Sequence, residues 1–220
     1  MFLEKYKYVR EYDANADISK DIIESMLEKT WKITPSKNNC MPYSVFILGP
    51  DKQELKNDVY RLCLKNEGKV NDIPNIEKVR YQNFKPQFWN VVSCSYLLIF
   101  TPRVETQPNP WQLHRMQQGN VYEQMNEEKM RNVAAISAIE IGMFINTFAY
   151  FCLEKNIDVS HTMCFSNDVQ DWQNISKDIK YPPTILMSIG KGLRYRQPTQ
   201  DPIEQLDLKP NYERIVNFIE

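Results

Sequence analysis

Apolar and polar residues fall along this chain in blocks whose period changes from one block to the next. In "ISKDIIESMLEKTWKIT", residues 18–34, Ile22, Ile23, Met26, Leu27 and Trp31 recur at helical spacing behind an Ile18-Ser19 start signal. The spacing predicts an amphipathic helix that ends before Pro35. "YSVFILG", residues 43–49, then reads as a strand closed by the turn Gly49-Pro50-Asp51, and "KQELKNDVYRLCLKN", 52–66, as a second helix. "IPNIEKVRYQNFKPQFWNV", 73–91, holds too much proline and asparagine for a regular element. "SYLLIFTPR", 95–103, is the short continuous apolar run of a central strand.

The second half begins with a polar stretch, "TQPNPWQLHRMQQGNVYEQMNEEK". Residues 104–130 as a whole are expected to form a lid or a surface excursion. "VAAISAIEIGMFINTFAYFCL", Val133 to Leu153, comes nearest to a membrane span, but Glu140 and Asn146 interrupt it. With apolar residues on nearly every face, it is expected to be the central helix of the core. "IDVSHTMCFS" is expected to form a strand, "NDVQDWQNIS" a short helix starting at Asn167, and "PPTILMSIGKG" a strand closed by glycines. The tail, about 199–220, ends in a short amphipathic helix and extends a single domain spanning 1–220. Strands and helices without a regular crossover pattern predict an α+β fold, not a doubly wound one.

Composition narrows the chemistry. A chain of 220 residues that is 42% hydrophobic and 12% aromatic can bury a substantial core. The 27 Lys and Arg nearly cancel the 28 Asp and Glu, so no overall field recruits nucleic acid or an acidic membrane, and small molecules or proteins are the expected partners. The N-terminus, "MFLEKYKYVREYD", has no apolar core region of a signal peptide, which predicts a cytoplasmic protein. Five scattered cysteines without CxxC spacing predict free thiols, neither a disulfide framework nor a metal site. With His114 and His161 as the only histidines, a Cys-His pair would have to be assembled from distant positions. "GKGLRYR" lacks the Walker spacing, which argues against a nucleoside triphosphate.

Three stretches carry a resemblance. The loop Pro35-Ser36, Asn39 and Pro42-Tyr43, set between the first helix and first strand, resembles the PSxxNxQPW loop of the nitroreductase-like FMN flavoproteins. Lys7-Tyr8-Val9-Arg10-Glu11-Tyr12 resembles that family's N-terminal RxSxRxF segment. Arg194-Tyr195-Arg196-Gln197-Pro198 is similar to its basic-x-basic phosphate clamp. Lys7 stands where the family usually has arginine, Tyr8 where it has serine and Met41 where glutamine is common. Asn156-Ile157 replaces a glycine-rich step after the central helix, and "HTMCFSND" has no glutamate-glycine pair.

The resemblance implies a homodimer built on a central mixed, mostly antiparallel sheet flanked by helices, with FMN at the subunit interface. NAD(P)H would be the co-substrate and a nitroaromatic, quinone or similar small molecule the electron acceptor. The expected cofactor-binding residues are Lys7, Tyr8, Arg10, Pro35, Ser36, Lys37, Asn39, Arg194 and Arg196, with Asn83 and Lys85 as further candidates and no catalytic acid or base. Such a site needs cations or N–H donors at the phosphate and near the ring nitrogen that becomes anionic on reduction. Arginine suits the phosphate because its planar fork binds two oxygens at once. Within the same fold, two alternatives remain: a specialised heterocycle dehydrogenase or reductive dehalogenase, and a flavin-binding protein without turnover.

Overall fold

The computed structural model describes residues 8–66, 88–103, 108–119 and 127–195. The elements are β1 (Val9–Tyr12), α1 (Lys20–Ile33), β2 (Tyr43–Leu48), α2 (Gln53–Asn66), α3 (Trp89–Ser93), β3 (Tyr96–Pro102), α4 (Pro110–Gln117), α5 (Glu127–Glu154), β4 (Asp158–Thr162), α6 (Val169–Gln173), β5 (Ile185–Gly190) and β6 (Gly192–Tyr195). A single 3-10 turn, Lys37–Asn39, interrupts the loop between α1 and β2. The expected tail helix, Asn83 and Lys85 all lie outside the described residues.

Four strands form one sheet in the order β2-β3-β5-β4, and β1 pairs with β6 in a separate ribbon. Every pairing among the described residues is antiparallel. The central strand β3 shows why the sheet sits in the middle. Its residues 96–100 are all buried, and alternate side chains enter opposite cores. Leu97 and Ile99 join β1, α2, α3 and Trp172 of α6 on one face. Leu98 and Phe100 join α1 and α5 on the other.

Local chemistry sets the helix ends. The Ser19 side chain caps α1 by accepting from the Ile22 N–H, and α1 stops ahead of Pro35. Its buried face is Ile23, Met26 and Thr30. Ile22 and Trp31, expected on the same face, are exposed. α5 begins at Glu127, earlier than expected, and is not apolar on every buried side. Glu140 and Ser137 are buried in it, while Ile139, Met143 and Tyr150 face outward. Among the described residues Ala135–Glu154 is the one helix long and apolar enough to cross a membrane, and in this fold it packs beside β3 and β5. Asn156 takes the left-handed conformation (φ 54°) just past the helix, the role glycine more often fills.

Three elements depart from the sequence expectations. α3 forms where an irregular stretch was expected, α4 forms inside the polar excursion, and a further strand, β6, opens at Gly192 after Gly190 has closed β5 as expected. The short helix after β4 starts at Val169 with Asp168 as its cap, two residues past Asn167.

Candidate functional site

The loop between α1 and β2 is held by polar anchors. Inside it, the Ser36 Oγ accepts the Met41 N–H at 2.8 Å. From α5, the buried Glu140 Oε1 accepts the Lys37 N–H at 2.8 Å. Arg103, just past β3, donates to the Cys40 carbonyl at 2.6 Å and to the Met41 carbonyl at 2.9 and 3.1 Å. Asn109, the N-cap of α4, donates to the Asn39 carbonyl at 3.3 Å. These bonds sustain left-handed backbone at Asn39 (φ 51°) and Met41 (φ 42°), which is unfavourable for methionine without such over-determination. The Pro35, Lys37 and Asn39 side chains are exposed and Ser36 is half-buried.

Glu140 is only 3% exposed, and its second oxygen has no hydrogen-bond partner. The sequence shows it as an interruption of an apolar helix, when it is the group that reaches from that helix to the loop. Beside it, burial pushes the Tyr43 phenol up to about 12, with Glu140 adding to the shift and Arg103 opposing it.

The ribbon carries the arginines. Its register sets Glu11 opposite Arg194, so Arg10 and Arg194 lie on neighbouring strands. Arg194 Nε stands 3.4 Å from the Glu11 carboxylate yet is buried without a hydrogen-bond partner. The Arg10 guanidinium sits 5.0 Å from the centre of the Tyr8 ring. Tyr8 donates its hydroxyl to the His161 carbonyl at 3.3 Å. Lys7 and Arg196 lie outside the described residues.

What fastens the ribbon is aromatic. Tyr12 is 1% exposed, and its hydroxyl donates to the Ser188 carbonyl at 2.8 Å and meets Ser160 Oγ at 3.0 Å. Burial holds this phenol protonated. Asp158 of β4 accepts from the Gly192 N–H at 2.9 Å and the Tyr195 hydroxyl at 3.1 Å. The ribbon therefore rides on the β4 side of the sheet, while the Ser36 loop leads into β2 at the other edge. Three strand spacings, about 14 Å, separate those edges. Arg10 and Arg194 share the ribbon, and Ser36, Lys37 and Asn39 share the loop, but ribbon and loop stand at opposite edges of the sheet within one chain.

In the polar excursion, His114 is exposed and Arg115 lies over the Trp111 ring at 5.6 Å, which is surface aromatic packing. Tyr122 is outside the described residues. No disulfide joins the five cysteines to one another, and no cluster of metal-ligating side chains occurs among the described residues.

No protein-family model and no curated protein matches the sequence. The fold, however, matches solved structures along the whole chain. A nitroreductase-like protein from Streptococcus mutans is 16% identical with a TM-score of 0.61, over 100% of this chain and 97% of that one. A nitroreductase-type protein of Exiguobacterium sibiricum, solved in complex with FMN, is 15% identical with a TM-score of 0.65, over 99% and 95%. An NAD(P)H:FMN oxidoreductase-type protein of Staphylococcus epidermidis is 16% identical with a TM-score of 0.57, over 96% and 93%. The chain thus has the nitroreductase-like fold, with antiparallel sheets flanked by helices.

Proposed function

We propose that this protein is an FMN-dependent oxidoreductase of the nitroreductase type, passing electrons from NAD(P)H to a nitroaromatic, quinone or similar small acceptor. The observation that carries the reading is the full-length match in fold to a protein solved with FMN, in a chain that sets Arg10 and Arg194 on one ribbon.

The residues present suit the cofactor. Arg194 Nε is a buried donor that makes no hydrogen bond and meets only the Glu11 carboxylate at 3.4 Å, and a phosphate oxygen would give it the bond it lacks. Arg10 and Arg194 would bind the phosphate, joined by Lys7 and Arg196 from beyond the described residues. Ser36 uses its oxygen lone pair on Met41 and keeps its O–H to donate, and the exposed Asn39 and Lys37 side chains offer an amide and a positive charge to the ring. Pro35 shapes the start of the loop. Tyr8 departs from the pattern, because its hydroxyl is committed to the His161 carbonyl and does not serve a phosphate. FMN, when bound, supplies the hydride and electron chemistry, and the protein's share is to bind, orient and polarise it.

A homodimer follows from the same reading. One site that uses both the loop and the ribbon would take the loop of one copy and the ribbon of another, bringing together groups that about 14 Å of sheet separates within a chain. The outward stripe Ile139, Met143 and Tyr150 of α5, with Trp31 and Ile33 of α1, gives such a dimer apolar surface to bury.

The visible spectrum of the purified protein tests the proposal. Bound flavin absorbance, bleached by NADH or NADPH and restored by a quinone or nitroaromatic, is expected; colourless protein that takes up no added FMN would reject it. The altered Lys7-Tyr8 segment favours one second reading, a flavin-binding protein without turnover. In that case flavin binds and neither nicotinamide bleaches it. Turnover confined to one acceptor would instead indicate a specialised enzyme of this fold.

A further inference from the structure

Among the groups proposed to hold the phosphate, Arg194 already has an anion beside it. Ribbon register sets Glu11 of β1 opposite Arg194 of β6, with Arg194 Nε 3.4 Å from Glu11 Oε2. A carboxylate that fixes an arginine in place commonly grips it through two short, parallel hydrogen bonds. This one does not: Nε is buried and makes no hydrogen bond. The two side chains are 35% and 27% exposed, a setting in which an ion pair adds little to stability. Opposite charges stand together here without the geometry of an anchor.

Glu11 also has room to withdraw. It lines a cavity of about 650 Å³ enclosed by the β1–α1 connection, α2 and α3, which Arg194 does not line. The charged groups of that cavity offer it no replacement. Asp13 and Asp17 share the lining and repel a carboxylate, and the Lys56 ammonium is taken by the Cys94 and Ser95 carbonyls at 2.8 and 2.9 Å. On leaving Arg194, Glu11 loses one attraction and gains none of the same kind.

We infer that Glu11 sets the affinity of the phosphate seat by competing with a phosphate monoester for the Arg194 guanidinium. The inference rests on the flavin reading and deepens it. A phosphate monoester carries about 1.5 to 2 negative charges at pH 7, so it outcompetes a single carboxylate for the cation. It does so against the loss of the Glu11–Arg194 attraction and against repulsion from the carboxylate that stays nearby. A flavin without the phosphate meets neither effect. Glu11 is accordingly a specificity-determining residue: it narrows the margin by which the site favours FMN over riboflavin, and it keeps FMN exchangeable.

Fluorescence titration of the full-length protein, stripped of flavin, with FMN and with riboflavin decides it. Glu11→Gln removes the charge and keeps the side chain's size. It is expected to bind FMN about fivefold more tightly, the weight of one like charge at contact distance in water, and riboflavin as the native protein does. The gain should shrink in ~1 M salt, which screens exposed charges. Glu11→Thr, a better strand former, repeats the comparison if the glutamine variant loosens the ribbon. Weaker FMN binding would show instead that the carboxylate holds Arg194 in position, and an equal gain for riboflavin would place the effect away from the phosphate. Either result, or no change, overturns the inference. Binding of neither flavin to any of these proteins would defeat the flavin reading itself, and the inference with it.

Discussion

The α1–β2 loop and the β1–β6 ribbon present the same kind of surface, polar side chains turned outward, but opposite means hold them. The loop is tied by hydrogen bonds from a buried carboxylate, Glu140, and from Arg103 and Asn109. The ribbon is plugged into the core chiefly by Tyr12, over Gly190, with Val9 buried beside it and Asp158 bonding its other strand. Ser36 apart, the groups a ligand would meet are distinct from the groups that fix their position. Binding and stability should therefore separate under mutation, and more sharply at the ribbon.

The largest effect is expected at Gly190. A Cβ there would stand 2.6 Å from Tyr12 Cδ1, 3.0 Å from its Cγ and 3.2 Å from its Cβ. The root of that ring cannot retreat, because the hydroxyl at its far end is fixed between Ser160 and Ser188. Gly190→Ala should cost about 3 kcal/mol, the upper end for overpacking, and should displace the ribbon. Gly192→Ala meets only the outer end of the partly exposed Tyr195 ring, which can swing aside, and should cost about 1 kcal/mol or less. Urea unfolding of both variants checks the contrast, and equal losses would break it.

The same division explains what could be read from the sequence. Periodicity exposed α1, α2, β2, β3 and α5 because each has a buried face or a continuous apolar run. β1 and β6, "VREY" and "GLRY", stayed hidden as strands because two-stranded ribbons of charge alternation bury too little to leave a pattern. α3 is buried at Trp89, Asn90, Val91 and Val92 and so has no polar face to set a period. α4 was legible in principle, from the Asn109-Pro110-x-Gln112 capping box, but its surroundings are polar throughout. The loop and arginine motifs were visible as residue types in order. Glu140, Arg103 and Tyr12 were not legible as their anchors, because anchoring is a contact between distant segments.

A smaller effect distinguishes the ribbon's neighbour by pH. Burial lowers His161, on β4 beneath Tyr8, to about 4. The unfolded chain titrates near 6.5, so between about 4 and 6.5 it binds more protons than the folded one. The contribution of neutral His161 is complete above about 6.5 and is lost as pH falls toward 4, about 2.5 kcal/mol of it between pH 7 and pH 4.5. His161→Gln should flatten that slope. Unfolding free energies at pH 7 and pH 4.5 for both proteins make the comparison; parallel slopes would show that His161 does not govern it.

The smallest change in stability accompanies the sharpest test of how loop and ribbon combine. Arg194 is partly exposed and paired loosely with Glu11, so Arg194→Ala should shift stability by no more than about 0.5 kcal/mol. It should nonetheless weaken FMN at least about tenfold, the loss of one charge-assisted contact. Glu140→Ala, by freeing Lys37 N–H, should weaken FMN from the loop side. If each site takes its ribbon from one copy and its loop from the other, a mixed dimer of these two variants contains one site with both parts intact and one with neither. Random assortment makes half the dimers mixed, so co-expression should restore about a quarter of the native flavin sites, where either variant alone shows few. Were both parts drawn from the same chain, every site in the mixture would keep one defect and no recovery would appear. Flavin absorbance per protein in the co-expressed sample reads the difference directly, and an unchanged baseline would end the two-copy arrangement while leaving flavin binding itself untouched.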